Sequence, residues 1–232
     1  MVDYSKTVSE VYQHLAKYFI NRDRNLDILC ILSTHRGPES SDLPSWTPDW
    51  RVSTGYAKLT DCWDYIGMKH TAAIATQAEI QEQDDGGRLG VRTYILDRII
   101  SLLYVTGEVC DTINIAHFSP DHIEKHEAET KPFDPEKDLR RFRTTSSQSH
   151  VLVPAMAKEG DLIVLLCGAR LPFVVRPRSW DDCEDNRSGT TFFKDGAELE
   201  VVGPCCHPLF IRETIFERIR DHDPSPPKVF LV

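Results

Sequence analysis

The spacing of apolar and polar positions divides the chain into stretches of different period. Residues 7–21 carry the clearest helical pattern. Val8, Val11, Tyr12, Leu15, Ala16 and Phe19 recur at the i, i+3, i+4, i+7 spacing of a helix face. Thr7 and Glu10 form a T-x-x-E capping box, in which each side chain satisfies the other residue's free backbone N–H. With Tyr4, Tyr18 and Ile20 added, the apolar arc is about 200° wide, whereas a helix resting on one core needs only about 100°. The surplus predicts a helix covered on two sides, with Tyr12 and Phe19 among its interaction residues. The nearly all-apolar "NLDILCILS" (25–33) predicts a buried helical turn or two, and "RGPESSDLP" (36–44) a loop.

The central stretch is less regular. "TAAIATQAEIQEQ" (71–83) has helical composition, yet its Thr, Ile and Ala also alternate as in a strand. "DDGGR" (84–88) is a turn and "LGVRTYILD" (89–97) alternates as a strand. A hairpin at 85–86 would make 71–83 its partner strand. Residues 119–129 open as a helix, with Ser119 as cap and Pro120 in the first helical position, and 134–142 repeats that signature with Asp134 and Pro135. From 142 the chain becomes a series of short β-rich runs: "FRTTSSQSHVLVP", "GDLIVLLCG", "LPFVVRPR", "AELEVVGPC" and "KVFLV". Gly160 and Asp161 turn the chain into the strand "LIVLLCG", and Gly168 closes it. The acidic insert at 179–196 reads as a long exposed loop. The expected fold is α+β with three regions: 1–70, helical with a Trp/Pro loop; 71–141, mixed strand and helix; and 142–232, a small antiparallel β-barrel-like region. Within the last, 142–178 and 198–232 are expected to form one antiparallel unit.

"LPSWTPDW" (43–50) concentrates two of the four Trp in one polar, Pro-containing segment. Pro44 and Pro48 fix their own φ and push Leu43 and Thr47 toward extended geometry, so the segment is stiff before it docks. If it is extended, Trp46 and Trp50 point the same way. Buried together, with Pro48 and Asp49 between and beside them, they would staple the loop to the core. Exposed together, they would form a platform for a sugar or a Pro-rich peptide.

Composition narrows the function. A net charge of −9 argues against an electrostatic nucleic-acid binder, which needs a basic face. No apolar run approaches the roughly 20 residues that span a bilayer, and the first residues lack the basic start and apolar core of a signal peptide. The seven Cys are odd in number and irregularly spaced, as expected of free thiols in a reducing, cytoplasmic setting. His122 and His126 share a face of the proposed helix 119–129, with His117 upstream, but Ile123 stands where a zinc-hydrolase helix needs Glu. Cys205 and His207 would share a strand face as a nucleophilic pair, although Cys beside His is more simply a core Cys and a surface His. Asp84–Asp85, Asp181–Asp182 and Glu184–Asp185 lie in turn-like sequence. No phosphate-binding, dinucleotide-binding or nucleophile-elbow motif occurs. These residues imply no cofactor, metal or catalytic set, so the expectation is a non-enzyme. The rivals are a Cys/His-based hydrolase or metal-binding enzyme, and a ligand-binding module using Trp46 and Trp50.

One resemblance runs through most of the chain. "DYSKTVSEVY" (3–12), "LDILC" (26–30) and "LPSWTPDW" (43–50), followed by "LGVRTYILDRI" (89–99), residues 142–177 and "ELEVVGPCCHPLF" (198–210), resemble in order the stretch downstream of the HET domain in fungal heterokaryon-incompatibility proteins. Thr93 stands where that family has Gly, and "CCHPLF" replaces its "YVHGLM". The HET domain's own "LSYxWG" and "WIDxxCINQ" segments do not occur here. The resemblance implies a non-enzymatic accessory segment in non-self recognition and cell-death signalling. Its implied partner is an upstream HET domain or another protein.

Overall fold

The computed structural model describes residues 5–32, 42–51, 87–102, 140–146, 150–154, 156–169, 171–185, 191–205 and 226–232, and the architecture is α+β. Helix α1 spans Val8–Asp23. Its start is the expected capping box, with Thr7 Oγ1 accepting from the Glu10 N–H and the Glu10 carboxylate accepting from the Thr7 N–H at 2.7 Å. Arg24 ends it in the left-handed conformation (φ 54°). A 3-10 turn follows at Asp27–Ile31. Its Leu29 and Cys30 join Ala16 and Ile20 of α1 in the main core.

The strands among the described residues are β1 (Leu89–Leu102), β2 (Arg140–Thr145), β3 (His150–Pro154), β4 (Leu162–Leu166), β5 (Pro172–Pro177), β6 (Cys183–Asp185), β7 (Thr191–Phe193), β8 (Glu198–Pro204) and β9 (Lys228–Leu231). Strands β1, β4, β5, β8 and β9 hydrogen-bond in succession, and β9 pairs again with residues 89–92 of β1. The far end of β1 carries β2, and β2 carries β3. Two register shifts, between Ile95 and Asp97 and between Ile99 and Ser101, interrupt β1. Such irregularities bend a strand, so one 14-residue strand serves both sets of partners.

Alternation along β4 and β5 divides the interior in two. Leu162, Val164, Leu166, Phe173 and Val175 face the main core, with Leu199 and Val201 of β8, Val229 and Leu231 of β9, and Leu89 and Val91 of β1. Ile163 and Val174 face a second cluster with Ile99, Val151, Val153, Ala157 and Cys205. Buried on both faces, β4 needs apolar residues at every position, hence the uninterrupted "LIVLL". Thr93 is fully buried and donates its hydroxyl proton to Leu165 O at 3.2 Å. The amides of residues 163–166 are therefore expected to be among the slowest to exchange with solvent deuterium. Exchange there as fast as at Ser5 or Lys6 would contradict a central β4.

Four expectations change. The C-terminal β unit is not wholly antiparallel, because β8 and β9 run parallel, pairing Glu198 with Phe230 and Leu199 with Leu231. Residues 140–142 of the proposed helix 134–142 are strand, since they pair with residues 152–154 of β3. The insert at 179–196 is not simply a loop: a 3-10 turn (Trp180–Asp182) leads into the β6–β7 hairpin, and Phe193 is buried in the main core. The segment 43–50 is built of turns rather than extended chain. Residues 71–83, the turn at 84–86 and the helix at 119–129 lie outside the described residues.

Candidate functional site

Three places collect the residues to which the sequence draws attention. The first is "LPSWTPDW". Trp46 is fully buried in the main core, and its indole N–H donates to Gly87 O at 2.7 Å. Ser45 clamps the segment to the β-sheet: its N–H donates to Val232 O at 2.9 Å, and its Oγ accepts from the Val201 N–H at 2.8 Å. A turn bond from Thr47 N to Pro44 O bends the chain between the two prolines. Pro48 is buried. Trp50 is half-buried and meets Tyr12 of α1 edge-on, with ring centroids 5.0 Å apart. Asp49, 4 % exposed, accepts from the Arg51 N–H, from Nε at 2.9 Å and from Nη2 at 2.9 Å. Those bonds, then those of Asp42, raise the Arg51 pKa above its ordinary value. The segment is a staple, and with Trp46 in the core the two rings form no joint exposed platform.

The second place is the Gly160–Asp161 turn. Gly160 has φ +90°, a left-handed conformation that an L side chain resists. A Cβ there would also lie 3.7 Å from the Trp180 ring. Asp161, 3 % exposed, accepts from Arg176 Nε at 2.8 Å, Arg176 Nη2 at 2.9 Å and the Lys158 N–H at 2.7 Å. Burial works against the Arg176 charge. The bonds and attraction of Asp161 outweigh it, so the guanidinium pKa stands above its usual value. This fork holds the entry to β4 against β5. Just outside it, Arg98 stacks 4.6 Å from the centroid of the half-exposed Trp180 ring. Neither residue carries a local sequence signal, since the contact joins β1 to a distant turn.

The third place is α1. Its inner face meets the core through Ala16 and Ile20, and Tyr12 and Phe19 are half-buried at its edge. Beyond that edge, Val8, Val11, Leu15 and Tyr18 are 48, 44, 39 and 58 % exposed. At 100° per residue these four fall within an arc of about 80°. Among the described residues the other exposed large apolar side chains are spread over separate elements: Ile100, Met156, Trp180 and Phe192. At the N-terminus of α1 the Thr7 backbone N–H, then the Thr7 side chain, holds the Glu10 carboxyl below its ordinary pKa. A depressed carboxyl pKa stabilises the fold above the unfolded-state value, and that contribution is lost as pH falls through the lower native value. Glu10→Gln is therefore expected to lower the melting temperature at neutral pH, with the deficit shrinking as pH falls below the ordinary carboxyl range. A deficit unchanged across an acid titration would contradict this.

The chemical candidates do not assemble. Cys205 is fully buried in the second core, its N–H bonded to Pro172 O. His207, Cys206, His117, His122, His126, Asp84 and Asp85 lie outside the described residues. Asp181 in the 3-10 turn and Glu184 on β6 are exposed, and Lys194 bonds Asp181 O at 2.8 Å and pairs with Glu184 at 3.4 Å. Among the described residues no three His, Cys, Asp or Glu lie together as metal ligands, and no helix is long and apolar enough to cross a membrane. Compared with protein-family models, curated proteins and solved structures, the chain finds no match.

Proposed function

We propose that the chain is a non-catalytic protein-interaction module of the kind that follows the HET domain in fungal heterokaryon-incompatibility proteins, acting inside the cell in non-self recognition and cell-death signalling. The exposed apolar stripe of α1 carries this reading. Four large apolar side chains in one line on a well-capped helix are unfavourable in water and favour a protein contact. The five strands β1, β4, β5, β8 and β9 are read as a small barrel, since their pairings return to β1. Its interior is filled by side chains, Phe173 and Trp46 among them. Packing of this kind supports a rigid scaffold for α1, and the buried Cys205 favours it over a thiol hydrolase.

The partner is another protein surface, and the resemblance supplies a HET domain as the candidate. The test is to titrate a HET domain, made as a separate polypeptide, into the isotope-labelled chain. Resonances of Val8, Val11, Leu15 and Tyr18 are expected to shift, and Val11→Glu to abolish the shifts. Shifts confined to other elements would count against α1 as the working face.

A further inference from the structure

We infer that two copies of this chain pair through α1, with the helices antiparallel about a two-fold axis at the level of Gln13. The inference rests on the reading of α1 as an interaction face and names the occupant of that face. The spacing of Val8, Val11, Leu15 and Tyr18 is three, four, three, the a/d rhythm by which one helix inserts its side chains between those of another. The stripe is also self-complementary. A two-fold axis at Gln13 brings Val8 opposite Tyr18 of the other copy and Val11 opposite Leu15, and then the same pairs again in reverse. Each contact sets a smaller side chain against a larger one, which fills space better than Tyr18 against Tyr18 in a parallel pair. This is what a two-fold contact between identical surfaces requires.

Electrostatics favour the same orientation. Antiparallel helices place opposite dipole ends side by side, and a parallel pair sets like ends together. Glu10 and Asp23 balance Lys17 and Arg22 along α1, so the helix presents no net charge of its own although the whole chain carries −9. Arg22 lies over the Phe19 ring at 4.9 Å and the Tyr18 ring at 5.8 Å, giving the apolar stripe a polar end. The exposed area sets the strength. Four partly exposed side chains offer on the order of 300–400 Å² per copy, about half of what a stable interface buries on each partner. The pair is accordingly weak and reversible, with dissociation in the micromolar range or above.

Sedimentation equilibrium of residues 1–232 from about 5 to 500 µM tests it. The mean mass is expected to rise from one chain toward two, with Leu15→Glu and Val11→Glu each weakening association by at least about tenfold at unchanged circular dichroism. Register is read by cross-linking: under oxidising conditions a mixture of Val11→Cys and Leu15→Cys chains should form more disulfide dimer than either variant alone. A constant monomer mass, an association indifferent to Leu15→Glu, or preferential cross-linking of Val11→Cys to itself would overturn the pairing. A monomer whose α1 resonances shift with a HET domain would overturn the pairing and leave the proposed function standing. A monomer with no such shifts would remove both.

Discussion

Trp46→Ala is expected to destabilise the chain by about 3–5 kcal/mol, the range for deleting a large buried aromatic side chain. Trp46 joins parts of the fold that are far apart in sequence. Its ring packs among residues of α1, the Asp27–Ile31 turn and the strands, and its N–H holds Gly87 just before β1. Removing it leaves a cavity and an unsatisfied carbonyl, two costs that add. Trp50→Ala should cost less, because Trp50 is half-buried and meets Tyr12 edge-on. Denaturant unfolding of both variants checks the order. If Trp46→Ala unfolds like the parent, the staple account of "LPSWTPDW" fails.

The second large effect is expected at Asp161. Removing one partner of a buried ion pair leaves the other charge without compensation, at about 3–5 kcal/mol when both are deeply buried. Arg176 is 26 % exposed and keeps Glu200 at 3.6 Å and Met156 O at 3.3 Å, so water and these partners recover part of that loss. Asp161→Ala is therefore expected to cost about 2–4 kcal/mol. Arg176→Ala strands the more deeply buried carboxylate, 3 % exposed, with the Lys158 N–H left to serve it, so the cost should be at least as large. Thermal unfolding of the pair of variants tests both expectations. Equal and small effects would show that the Gly160–Asp161 turn is held by packing alone.

What the sequence reveals here is mostly local. The Thr7–Glu10 box, the apolar run of β4 and the turn at Gly160 each depend on residues within one or two turns of chain, and each predicted element is present. The direction of β9 depends on which edge captures "KVFLV" after residues 206–225, and no residue in that strand encodes it. Residues 140–142 follow a helix-start signal at Asp134–Pro135, yet they are strand because β3 pairs with them, while β1 holds the following residues 143–145. Trp46 and Trp50 were legible as a staple from the stiffening prolines. Their geometry was not, because Ser45 fixes the segment through bonds to residues up to 187 positions away, as in Ser45 N–H to Val232 O. The α1 stripe was legible as surplus apolar width. Only the structure separates its buried side, Ala16 and Ile20, from its exposed side.

The account's central claim is that the outer face of α1 works in contacts between molecules and contributes little to the fold. The melting temperature of Leu15→Glu, measured in dilute solution where the chain is monomeric, tests this most directly. Surface substitutions away from special features change stability by about 0.5 kcal/mol or less, so the variant is expected to melt within about 2 °C of the parent while losing its α1-dependent association. A fall of about 8 °C or more would mean that Leu15 is packed inside the folded chain, and would contradict the claim.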